Sequence, residues 1–221
     1  MADKTLDAPS PRYRAATAWL ILAGMVAVEL LIQFGATDPS GGSRFRFQVM
    51  NEFGFMDRNF DAWIAGGQAD GIGWTFLSYL FVHAAPLHLA VNAALFLFVG
   101  PFLCRHIGGF RLIVLFFACG IGGAFAFGLT NDIPGPLVGG SAAIMGMFWA
   151  VKFWELKWII RSGDTWIRYI ISIVFLLALN VMMYWLSGGG VALEAHLGGA
   201  ATGIVMAAML SRRPPHGRFI F

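Results

Sequence analysis

Charged residues are scarce in this chain. Lys, Arg, Asp and Glu make up 12% of its 221 residues, against about 25% in a typical soluble domain. Hydrophobic residues reach 58%. This balance excludes a soluble globular protein and indicates an integral membrane protein that lives in a lipid bilayer. The formal net charge is only +3, which gives no reason to expect a nucleic acid partner.

Cysteine is nearly absent too. The two cysteines, Cys104 and Cys119, lie in or beside apolar sequence, so we expect no disulfide. The zinc-protease pattern HExxH is missing. We therefore expect neither a metal nor any other cofactor.

The chain contains several long apolar runs. About 20 helical residues cross the hydrocarbon core. The runs predict an all-α membrane protein with six transmembrane helices, at 15–35, 86–104, 110–130, 141–158, 167–186 and 192–210. One domain is expected over 15–211, between a cytoplasmic N-terminal segment at 1–14 and a cytoplasmic C-terminal tail at 212–221.

The start of the second span depends on Pro86. Residues 74–104 form one apolar run, which as a single helix would be roughly 46 Å long. Proline is tolerated in a helix's first turn but not in its interior. We predict that the helix begins near Pro86 and that residues 74–83 lie at the membrane surface, within a long 36–85 loop.

Basic residues predict the orientation. Only Arg44, Arg46 and Arg58 of the 15 Lys and Arg residues lie in the 36–85 loop. The rest, including Lys152 and Lys157, fall at the opposite ends of the spans, which is typical of the cytoplasmic face. We expect both termini in the cytoplasm, and the six-span length favours a bacterial inner membrane.

Polar side chains are rare within the spans, where each costs free energy unless it pairs or faces a cavity. Glu29 has no evident partner, and Asn180 is expected to bond a neighbouring helix. Asn92, Ser141 and His196 each lie roughly 16 to 24 Å above the basic residues that end their spans. Three spans therefore bring polar groups to one level in the outer half of the bilayer.

Ser141 follows the irregular segment DIPGPLVGG, which must line a cavity if it dips into the membrane. At a helix N-terminus, unpaired N–H groups and the positive dipole end favour an oxyanion. His196 precedes Gly199 and Gly203, whose GxxxG spacing permits a close helix contact. The pattern favours a histidine near enough to take the Ser141 proton.

The second span adds two donors to this level. His88 and Asn92 are four residues apart, so they lie on one helix face and point into the same space.

Three motifs carry a resemblance to the rhomboid family of intramembrane serine proteases: HAAPLHLAVN, GGSA and HLGGAATG, on spans two, four and six in that order. The resemblance covers roughly residues 70–210 and implies a rhomboid-like helical bundle. It implies that Ser141 is the nucleophile and His196 its general base, as a dyad without an acidic third member. It further implies that His88, Asn92 and the Ser141 N–H stabilise the oxyanion.

The same resemblance gives supporting positions and a substrate class. His83 is implied as a structural residue beside the site, with Gly139, Gly199 and Gly203 as further supporting positions. Substrates would be transmembrane segments of other membrane proteins, cut near their outer end. The 167–186 span would be the lateral gate.

Three positions depart from the family pattern. Ala142 stands where the family usually has Gly, and Met145 stands where an aromatic commonly stacks on the catalytic imidazole. Trp74–Thr75 replaces a Trp-Arg pair, so a loop-anchoring arginine is missing.

Three rival readings remain. His83, His88 and His196 could hold zinc. A rhomboid-like pseudoenzyme would bind membrane proteins without cleaving them, although such proteins usually lack the serine or the histidine. A transporter would show inverted repeats, and the chain has no matching halves.

Overall fold

The fold is known from a computed structural model that describes residues 15–35, 43–68, 71–130, 135–186 and 192–210. The predicted cytoplasmic segment at 1–14 and tail at 212–221 lie outside the described residues. The domain boundaries therefore stay predictions.

The described chain is built of helices. In order they are α1 Ala16–Gly35, α2 Ser43–Phe53, α3 Asp57–Ile64, α4 Ile72–Ser78, α5 Pro86–Ile107, α6 Gly109–Thr130, α7 Ser141–Ser162, α8 Ile167–Leu186 and α9 Leu193–Leu210. The six long helices coincide with the six predicted spans, except that α5 and α7 run three and four residues further. The all-α bundle is confirmed.

Five of the long helices, α1, α5, α6, α8 and α9, are long and apolar enough to cross a membrane. This confirms an integral membrane protein. Helix α7 is as long as α5 and α6, but its second half carries Lys152, Glu155, Lys157 and Arg161. Its crossing, and hence the count of six spans, stays a prediction.

Pro86 begins α5, as predicted, with Ala85 as the extended residue before it. The short helices α2, α3 and α4 belong to the segment that precedes it. Phe60 of α3 and Phe76 of α4 pack with Phe125 of α6, at ring separations of 5.3 and 5.4 Å from Phe125. The preceding segment is thereby held against the bundle.

Helix α7 lies in the centre of the bundle, where every residue from Ala142 to Phe148 is buried. Small residues bring α9 against it. A Cβ added at Gly199 would overlap the Ala142 carbonyl oxygen, and one at Gly203 would overlap that of Gly146. The GxxxG contact predicted from the sequence is therefore a contact between α9 and α7.

Lys152, one of the basic residues from which the cytoplasmic face is predicted, is buried and only 3% exposed. It pairs with Glu155 and donates to Ser172 Oγ of α8 at 2.6 Å. A buried ammonium needs such partners to offset its loss of hydration.

Candidate active site

The segment before α7 is held on both sides by backbone hydrogen bonds. Leu137 and Phe55 exchange N–H···O bonds of 2.8 and 3.0 Å, and the Gly139 N–H donates to Tyr79 O at 2.8 Å. Gly139 has φ +102°, a conformation that favours glycine. Its Cα also lies against the His88 ring, since an added Cβ would be 2.6 Å from His88 Cε1.

Ser141 is the first residue of α7. The Ile144 N–H donates to Gly140 O, so the N–H groups of Ser141, Ala142 and Ala143 precede the first hydrogen bond of the helix. They form the electropositive end of α7 beside the Ser141 hydroxyl.

His196 of α9 reaches this hydroxyl, with Nε2 2.8 Å from Ser141 Oγ. The two residues come together because α9 packs closely on α7 through Gly199, next to Ala142. The pair that the sequence predicts is thus within hydrogen-bond distance.

Asn180 of α8 lies on the other side of the imidazole. Its Oδ1 is 2.6 Å from His196 Nδ1. The prediction that Asn180 bonds a neighbouring helix is confirmed, but the sequence analysis missed that its partner is His196. The signal was available, because Asn180 lies roughly 18 Å above Arg168, level with the other polar groups.

Asn92 and His88 of α5 line the same cavity as Ser141 and His196, with a volume of about 470 Å³. Asn92 is only 1% exposed. Its Nδ2 has no hydrogen-bond partner within the described ranges. A buried amide N–H without a partner is costly, and this one lies beside Gly139, two residues before Ser141.

His83 is fully buried behind His88 and does not line the cavity. Its ring lies 5.2 Å from that of His88, and its Nδ1 is 3.2 Å from Phe81 O. Burial, and next the neighbouring His88, lower the pKa of His83 to about 4. His83 is therefore neutral at pH 7 and packs against His88 as an uncharged ring.

Glu29 of α1 has a partner that the sequence did not reveal. Arg46 of α2 donates from Nη2 to Glu29 Oε1 at 2.6 Å and from Nη1 to Oε2 at 2.9 Å. Arg46 Nη1 also donates to His83 O at 2.8 Å. The loop that lacks arginine after Trp74 is thus anchored by Arg46, which precedes Trp74 in the chain.

The two departures beside the serine are accommodated. The Ala142 methyl faces Gly123 of α6, where a second Cβ would be only 2.6 Å away. The Met145 sulfur is 3.7 Å from Asn180 Nδ2. Neither side chain displaces Ser141 from His196.

The zinc alternative fits poorly. Both ring nitrogens of His196 already face other groups, Ser141 and Asn180. In the part of the chain that the structure describes, no three His, Cys, Asp or Glu side chains lie together as a metal site would need. A serine hydroxyl, an imidazole and buried N–H donors around one cavity can instead perform acyl transfer.

The sequence is similar to known proteins over about two thirds of its length. The sequence profile described as Rhomboid domain matches residues 70–213. RHOMBOID-like protein 4 of Arabidopsis thaliana is 32% identical over 148 residues, 66% of this chain and 36% of its own. RHOMBOID-like protein 2 of the same plant is 30% identical, again over 66% of this chain, and 44% of its own length is covered.

A bacterial relative carries the name of an enzyme. The rhomboid protease GluP of Bacillus subtilis is 30% identical over 154 residues, 68% of this chain and 28% of its own. In each of these three comparisons the match spans less than half of the relative's length.

Proposed function

The chain belongs to the rhomboid family, and we propose from this premise that it is a serine endopeptidase that cleaves transmembrane segments of other membrane proteins. The observation that carries the proposal is the 2.8 Å separation between Ser141 Oγ and His196 Nε2, inside a membrane-embedded bundle. Ser141 is proposed as the nucleophile and His196 as its general base.

In the first step Ser141 Oγ bonds to the carbonyl carbon of the scissile peptide, and its proton passes to His196 Nε2. The carbonyl oxygen becomes an oxyanion. When the C–N bond breaks, the same proton passes to the leaving amine. The product is an acyl-enzyme on Ser141 and a released peptide with a new N-terminus.

Three donors are proposed to stabilise the oxyanion: the Ser141 N–H, Asn92 Nδ2 and the His88 ring. The unpartnered Asn92 amide supports this role, because a donor that is fixed before reaction costs no reorganisation when charge develops. Gly139 lets His88 and Asn92 approach the serine, and His83 supports His88 from behind.

In the second step a water molecule gives a proton to His196 and attacks the acyl carbon. Ser141 Oγ then leaves and takes the proton back. No cofactor or metal is needed at either step.

Substrate access is proposed to occur past α8. Among the described side chains of α8 only Leu176 is buried, so α8 is packed less firmly than the other long helices. Leu179, Asn180 and Tyr184 of α8 line the cavity. A substrate helix must expose its backbone carbonyl to react, and small or helix-breaking residues lower that cost.

The proposal is tested by reconstituting the purified protein in lipid vesicles with a single-span membrane protein that carries glycine and proline near its outer end. Cleavage is followed by gel electrophoresis and mass spectrometry. Wild type is expected to cleave, while Ser141→Ala and His196→Ala do not. Ser162→Ala, a matched serine variant at the other end of α7, should cleave normally.

Binding of the substrate without cleavage by wild type would instead favour the pseudoenzyme.

The proposed setting is a bacterial inner membrane with cytoplasmic termini, since the basic residues are biased to one face.

A further inference from the structure

The amide orientation of Asn180 is determined by its own neighbours. Its Nδ2 donates to Leu176 O at 2.9 Å and faces Met145 Sδ at 3.7 Å. A carbonyl oxygen and a thioether sulfur both accept hydrogen bonds and neither can donate one. The opposite amide orientation would place Oδ1 against these two acceptors, so Oδ1 must face the imidazole.

This orientation selects one tautomer of His196. An amide oxygen only accepts, so the nitrogen 2.6 Å from it, Nδ1, must carry the proton. In the neutral ring Nε2 then holds the lone pair and accepts from Ser141. The opposite tautomer would place a lone pair against Oδ1 and a proton against the serine hydroxyl, which prevents base catalysis.

The same contact matters after proton transfer. When His196 becomes positively charged, Nδ1–H donates a charge-assisted hydrogen bond to Asn180 Oδ1, which is stronger than the bond in the neutral state. Asn180 thus stabilises the charged intermediate more than the ground state, which is the requirement for an effect on kcat.

We propose that Asn180, on helix α8, is a positioning residue that holds His196 in its base-competent tautomer. The three side chains then form a hydrogen-bonded chain, Ser141–His196–Asn180. The inference rests on the proposed function and deepens it, because it adds an amide third member to the dyad implied by the family resemblance. Asn180 acts through His196.

The test compares Asn180→Leu, which keeps the branched shape but removes the acceptor, with Asn180→Asp, which keeps an oxygen at the same place and, when protonated, an O–H donor toward Leu176 O. The control is Arg168→Ala, which removes an exposed polar group from the start of α8. Thermal unfolding in detergent identifies any variant that is simply misfolded.

We expect Asn180→Leu to lower kcat for peptide cleavage about 10- to 100-fold, as loss of a hydrogen bond to a charged group would, with KM little changed. Its rate constant for inactivation by a fluorophosphonate should fall by a similar factor. Asn180→Asp should recover most of both rates, and Arg168→Ala should match wild type.

The proposal is overturned if folded Asn180→Leu keeps the wild-type kcat, or if Asn180→Leu and Asn180→Asp lose the same activity. An increase in KM alone would also overturn it, because it would indicate a role in substrate binding. Failure of wild type itself to react with the fluorophosphonate would instead reject the proposed function, and the inference with it.

Discussion

Asn92 combines burial with a missing partner. Its Nδ2 is enclosed by protein and has no acceptor among the residues described. A group of this kind lowers stability, so its presence needs a compensating role. An oxyanion that forms beside Ser141 during catalysis would be such an acceptor.

We predict that Asn92→Ala slows peptide cleavage about 100-fold in kcat, the typical loss for one oxyanion donor. Because the variant also removes a buried unsatisfied group, its melting temperature should not fall by the amount expected for loss of a native hydrogen bond. Steady-state kinetics and thermal unfolding in detergent measure the two effects. An unchanged kcat would remove Asn92 from the site.

At the scale of helices, the distance between α7 and α9 depends on two glycines. Gly199 faces the carbonyl of Ala142, next to the nucleophile, whereas Gly203 faces that of Gly146 one turn further along α7. Larger residues at either position would push the helices apart. Separation of the helices at Gly199 would change the Ser141–His196 distance more directly than separation at Gly203.

We predict that Gly199→Ala and Gly203→Ala each destabilise the fold by about 1 to 3 kcal/mol through overpacking. Gly199→Ala should also lower kcat at least 100-fold, since a shift of about 1 Å at the reacting atoms has that effect. Thermal unfolding and the cleavage assay provide the measurements.

The control for both variants is Gly73→Ala in α4, where an added methyl meets no atom within 4 Å. It should leave stability and kcat near wild type. If Gly199→Ala behaved like Gly73→Ala, the close approach of α9 to α7 would not determine the dyad geometry.

A second contact between elements is the bidentate pair of Arg46 and Glu29. It joins α2 to α1, and the bond from Arg46 to His83 O extends it to the residue behind His88. Both charged side chains are largely buried, at 13% and 6% exposure. Removing one partner of such a pair leaves an uncompensated charge.

We predict that Arg46→Ala destabilises the fold by about 3 kcal/mol and lowers kcat through displacement of His83 and His88. Arg44→Ala, an exposed arginine on the same helix, should do neither. Chemical or thermal unfolding of both variants checks this. Equal stability of the two would show that the pair contributes nothing to the fold.

The sequence predicted the long helices well because apolar runs, Pro86 and the glycine-rich breaks are local signals. It also brought Ser141 and His196 together, since depth can be counted from the basic span ends. It could not predict that Arg46 pairs with Glu29, and the depth of Asn180 indicated its level in the membrane but not that its side chain faces His196. These contacts depend on helix rotation and on loop packing, which span length and hydropathy do not determine.

The charges of α7 illustrate the same limit. Lys152 contributes to the count of basic residues from which orientation is predicted, yet it is buried against Glu155 and Ser172. Hydropathy and the count of basic residues cannot recognise its partners, one three residues away on the same helix and another on α8.

For the molecule as a whole, the orientation in the membrane is predicted from the remaining basic residues. Arg58, in α3, and Arg161, at the end of α7, are both exposed and belong to opposite predicted faces. Cys104 and Cys119 are buried, so the native cysteines should give little background in a labelling experiment.

We predict that a membrane-impermeant maleimide added to intact bacterial spheroplasts labels Arg58→Cys but not Arg161→Cys. After permeabilisation both should react, and the parent chain should stay nearly unlabelled. Labelling of Arg161→Cys alone in intact spheroplasts would invert the proposed topology.

We propose above all that the chain holds an activated serine within the membrane. The most direct measurement is reaction of the purified protein in detergent with a fluorescent fluorophosphonate, beside Ser141→Ala and His196→Ala. We expect labelling of wild type and of neither variant, because attack on phosphorus needs the Ser141 oxygen and a base at His196. A well-folded wild type that stays unlabelled, or variants labelled as strongly as wild type, would show that His196 does not activate Ser141.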